Sequence, residues 1–137
     1  MKIKMDFVTN SSSTSFIVIC NDSFCLEDFI EAVGIDKSSP FYNIFVSLFR
    51  KMKDELEPLR ENYKNYRGGK HESFDEFIKS WYSDDLLKRI IKAEREGRYI
   101  FIGSLSSEVD EIESFFCCDS FTIESAKLYI DGSINYW

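Results

Sequence analysis

The amino-acid sequence predicts an α+β domain of two layers: a mixed or mostly antiparallel sheet built from N- and C-terminal strands, covered by a helical layer over residues 26–97. Three observations carry this prediction. Short runs rich in β-branched and aromatic residues lie near the two ends of the chain, at 16–20, 99–102, 121–124 and 127–130. Between them, apolar residues recur at three- and four-residue intervals, punctuated by helix start and stop signals. The 137 residues, 44% hydrophobic with thirteen Phe and seven Tyr, suffice for one aromatic-rich core, so residues 1–137 read as a single domain.

In order, residues 2–8 alternate, with Ile3, Met5 and Phe7 on one side, and suit a short strand. The run Thr9, Asn10, Ser11, Ser12, Ser13, Thr14, Ser15 can hydrogen-bond its own backbone and favours a loop. Residues 16–20 then form a buried strand. Leu26, Phe29, Ile30 and Val33 share one face of a helix that Gly34 stops. Ser39 as cap and Pro40 at the first helical position open the next helix. Its apolar face runs from Phe41, Ile44 and Phe45 through Leu48, Phe49 and Met52 to Leu59 and Tyr63. Pro58 must kink or break it, and Gly68-Gly69 end it.

Ser73 and Glu76 have the spacing of a capping box, followed by Phe74, Phe77, Ile78, Trp81 and Tyr82. Ser83-Asp84-Asp85 opens a further helix carrying Leu86, Leu87, Ile90 and Ile91, which Gly97 ends. The chain returns to strand at 99–102, turns at 103–107, and forms a short helix capped by Ser107 with Val109, Ile112 and Phe116 inward. Strands follow at 121–124 and 127–130. Asp131-Gly132 predicts a two-residue hairpin into a last strand at 133–136.

Charge and cysteine content narrow the function classes. A net charge of −7 argues against nucleic-acid binding, which needs clustered Lys and Arg. Residues 50–98 hold thirteen of the seventeen basic residues, yet eleven acidic ones are mixed with them, as on solvated helix faces. No run approaches the roughly 18 apolar residues of a membrane span. The N-terminus lacks the apolar core of a signal peptide, so the expected location is cytoplasmic. Cys20, Cys25, Cys117 and Cys118 are then reduced. Their spacing departs from paired zinc knuckles, and they read as buried, inert thiols; neither metal nor cofactor is expected.

The distinctive stretch is Asp6-Phe7-Val8-Thr9-Asn10-Ser11-Ser12-Ser13-Thr14-Ser15-Phe16. It resembles the opening of a group of short uncharacterised proteins from Gram-positive bacteria and their phages, which begin D-F-V-T-N, a serine run and S-F. The likeness covers about the first sixteen to nineteen residues and departs from the serine run at Thr14. It implies no catalytic residue. What it implies is an identity tag or a processing site. Asn10, Ser11, Ser12, Ser13, Thr14 and Ser15 are therefore candidate recognition or modification residues, set against a solvated turn as the plainer reading.

A second candidate is Gly103, Ser104, Ser106 and Ser107, between a buried strand and a helix N-terminus whose free N–H groups would favour an anion. It lacks the Lys of a phosphate-binding loop, and Glu108, Asp110 and Glu111 would repel phosphate; an ordinary cap is the competing reading. His71 is the sole histidine, and nothing in the spacing brings it to Cys20 or Cys25. The carboxylate pairs Glu27-Asp28, Asp84-Asp85 and Asp110-Glu111 fit first helical turns. Tyr136-Trp137 needs a surface, either the core or a second subunit in a homodimer. The expectation is a non-enzymatic interaction or regulatory protein that engages a protein partner through its serine run. The alternative is a small enzyme or an anion- or nucleotide-binding domain using residues 103–107.

Overall fold

The structure, a computed structural model, describes residues 2–4, 13–66, 73–106 and 120–136. It is an α+β fold. The strands β1 (Lys2–Lys4), β2 (Ser13–Cys20), β3 (Glu57–Pro58), β4 (Tyr99–Ser106), β5 (Ser120–Glu124) and β6 (Leu128–Tyr136) form one sheet in the order β1-β5-β6-β2-β4-β3. Every pairing among them is antiparallel. β2 lies inside the sheet with β6 on one side and β4 on the other. β1 does not adjoin β2; it pairs with β5 at the edge.

The helices are α1 (Leu26–Val33), α2 (Tyr42–Asp54), α3 (Leu59–Tyr66), α4 (Phe74–Trp81) and α5 (Asp84–Arg95). Their ends follow the local chemistry. Gly34 takes a left-handed φ of 83° and its N–H donates to the Ile30 carbonyl, closing α1. The helix expected from Pro40 is broken near Pro58, as the proline requires: α2 stops at Asp54, Pro58 closes the short β3, and α3 starts at the next residue. The Ser39 hydroxyl accepts from the Phe41 N–H at 3.1 Å, so the Ser39-Pro40 signal orders the turn before α2, and Pro40 is not its first residue. The capping box of α4 forms as predicted. Ser73 Oγ accepts from the Glu76 N–H at 3.1 Å, and Glu76 Oε2 accepts from the Ser73 N–H at 3.3 Å. Ser83 Oγ caps α5 by accepting from the Leu86 N–H. α5 ends with the Arg98 N–H donating to Ala93 O at 2.9 Å and Gly97, at φ 74°, donating to Glu94 O.

The layering corrects the two-layer expectation, because the helices divide between both faces of the sheet. Strand side chains alternate in direction. Phe16, Val18 and Cys20 of β2 pack with Phe24, with Phe29 and Val33 of α1, and with Leu48, Phe49 and Met52 of α2. Ile17 and Ile19 pack with Leu59 of α3, Phe77 and Ile78 of α4, and Leu86 and Ile90 of α5. β2 therefore feeds two cores, which explains why residues 16–20 are apolar without alternation. Aromatic rings lock each side. Phe24 stacks on Phe49 with centroids 4.8 Å apart, and Tyr63 meets the edge of Phe74 at 5.5 Å. Across the second side, the Arg60 guanidinium lies 3.6 Å from the centre of the Phe74 ring and grips both carboxylate oxygens of Glu94 at 2.9 Å, tying α3 to α4 and α5.

Two predicted turns are strand. Residues 103–106 continue β4 without a break. Asp131-Gly132 is not a hairpin turn: it lies inside β6, at a bulge where the partner of β2 shifts from Ile134 opposite Ser15 to Asp131 opposite Ile17. The hairpin joining β5 to β6 turns instead at Ser125, whose N–H donates to Leu128 O at 2.8 Å and whose hydroxyl accepts from the N–H groups of Lys127 and Leu128. Phe41 and Ile44, assigned by their spacing to the inward face of α2, are 60% and 43% exposed.

Candidate recognition site

The serine run and the Gly103 segment meet. β2 begins at Ser13, so the last three hydroxyl residues of the run are strand rather than loop. In register, Ser13 stands opposite Ser106, Thr14 opposite Leu105, and Ser15 opposite Ser104. Ladder pairing on both sides of β2 overrides the turn preference of these residues; Thr, being β-branched, suits a strand in any case. Asn10, Ser11, Ser12 and Ser107 lie outside the described residues.

Alternation assigns directions. Thr14 shares a face with Phe16 and is 0% exposed. Ser15 shares the opposite face with Ile17 and is 8% exposed. Ser104 and Ser106 follow Ile102 on that same face, Ser104 exposed and Ser106 half-buried. On the other side of β2, on β6, lies Asp131, 8% exposed, opposite Ile17 on one side and Thr122 on the other. The polar residues of this face form a stepped band: Thr122 and Asp131 lie in the row of Ile17, and Ser15 and Ser104 in the next row, where Ile134 is the β6 partner of Ser15. It borders the apolar band of Ile17, Ile19 and Ile102 that α3, α4 and α5 cover.

Asp131 is a member that the sequence reading missed, because a hairpin turn was assigned to it. The spacing held a signal, since Tyr129 and Asp131 are two apart and share a face. The Tyr129 hydroxyl donates to Asp131 Oδ2 at 3.2 Å. Burial, then the nearby Asp131 charge, pushes the Tyr129 phenol up to about 12. Arg89 of α5 lies 4.3 Å over the Tyr129 ring and pairs with Glu124 at 3.6 Å, bordering the band without entering it.

Chemically, the band offers hydroxyls that donate and accept, beside one buried carboxylate. It does not have the form predicted for an anion site. Gly103, Ser104 and Ser106 are strand residues rather than a turn, the helix expected from Ser107 lies outside the described residues, and Asp131 would oppose an anion. Gly103 has a packing reason: a Cβ there would stand 2.6 Å from the end of the Phe16 ring and 3.2 Å from Glu55 O.

Cys20 is buried at the end of β2, and burial above all pushes its thiol up to about 11, which leaves it protonated and unreactive near neutrality. Cys25 precedes α1, half-buried. His71, Cys117, Cys118, Trp137 and the Asp110-Glu111 pair lie outside the described residues. Glu27-Asp28 and Asp84-Asp85 do occupy first turns, of α1 and α5. Among the described residues, no three His, Cys, Asp or Glu side chains group as metal ligands, and no helix is long and apolar enough to cross a membrane. Comparison with protein-family models, curated proteins and solved structures finds no match for the chain.

Proposed function

We propose that this chain is a non-enzymatic interaction or regulatory domain that acts in the cytoplasm and engages a protein partner through its serine-rich run, residues 10–15, together with the hydroxyl-bearing end of the sheet. One observation carries the reading: the register of β2 on β4 sets Ser15, the buried end of the run, beside the exposed Ser104, so that two hydroxyl-bearing segments almost ninety positions apart lie side by side. The likeness of residues 6–16 to the opening of the Gram-positive and phage proteins supports it. Net charge of −7 and the buried Asp131 disfavour nucleic acid as the partner.

Burial divides the run. Thr14 and Ser15 are held in a strand inside the sheet, so an enzyme acting on the folded chain would be confined to residues 10–13. The alternative, a small enzyme or an anion- or nucleotide-binding domain on residues 103–107, has less support, because residues 103–106 are strand. Intact mass spectrometry of the chain from its own host, with peptide mapping, tests the proposal. A mass shift or truncation within residues 10–13 supports it, as does an adduct from a photo-crosslinking side chain at position 104 but not at the exposed position 88 of α5. An unmodified mass and no adduct at position 104 overturn it.

A further inference from the structure

We draw no further inference here: the strongest candidate, the exposed apolar patch of Phe41 and Ile44 at the start of α2, carries nothing because nothing in the structure shows what covers it.

Discussion

Single atoms set the sharpest constraints on this fold, and Gly132 illustrates it. Gly132 sits at the β6 bulge under the Phe121 ring, and a Cβ added there would overlap three of the ring carbons. The ring is fully buried and has little room to retreat. Gly132→Ala is expected to lower stability by about 1–3 kcal/mol through overpacking, read as a lower urea midpoint at unchanged m-value. Phe121→Leu in the same chain should return part of that loss, so the two substitutions should be less than additive. Full additivity would remove the ring as the cause. Titration gives a second residue-scale prediction. The Tyr129 phenol is raised from 10.0 to about 12 and the Cys20 thiol from 9.0 to about 11, each chiefly by burial. A group whose folded pKa is raised stabilises fully below its unfolded pKa and loses that contribution as pH rises through the folded one. Stability should therefore fall from pH 9 to 12. Tyr129→Phe should flatten the upper part of that fall, from pH 10 to 12, in urea midpoints taken against pH.

Helix ends and strand turns differ in how far local sequence decides them. The α4 cap closes within four residues, Ser73 to Glu76, and was readable from spacing alone. Ser73→Ala is expected to cost about 1 kcal/mol, while Ser73→Gly should cost only a few tenths, because glycine tolerates the cap backbone and leaves its N–H groups to water. Equal losses in urea denaturation would show that the box does not hold α4. Gly97 was equally legible, since the left-handed φ of 74° that closes α5 penalises any Cβ even though none would meet a neighbour within 4 Å. The turns expected at 103–106 and 131–132 are strand for one physical reason. Glycine there does not serve a positive φ; it clears space for the Phe16 and Phe121 rings brought in by other strands. Phe16 is far in sequence from Gly103, and Phe121 stands on the neighbouring β5; neither contact can be read from the residues beside the glycine. For the same reason the serine run read as a loop up to Ser15, although pairing with β4 and β6 carries Ser13, Thr14 and Ser15 into the sheet.

Across the whole molecule, β2 is the element on which both helical layers rest, and this was only half legible. Continuous apolar residues at 16–20 indicated burial on both faces, yet the 3.6-residue periodicity of α1 to α5 says which side of each helix is buried, not which side of the sheet it covers. The arrangement has a testable consequence. Leu48 of α2 and Ile90 of α5 are each 0% exposed and lie on opposite faces, touching the sheet through alternate residues of β2. Leu48→Ala and Ile90→Ala should each cost roughly 2–5 kcal/mol, since each leaves a cavity in a close-packed core. With β2 common to both cores, either loss should lower the hydrogen-exchange protection of the Ile17, Val18 and Ile19 amides by the same amount that it lowers global stability. If Leu48→Ala instead exposed α1 and α2 while the Ile17–Ile90 side kept its full protection, the two cores would be separate cooperative units. The outcome bears on the proposed site, because Thr14 and Ser15 extend the same strand. In a single cooperative unit they become accessible only on global unfolding, and an enzyme acting on the native chain would not reach Thr14 or Ser15.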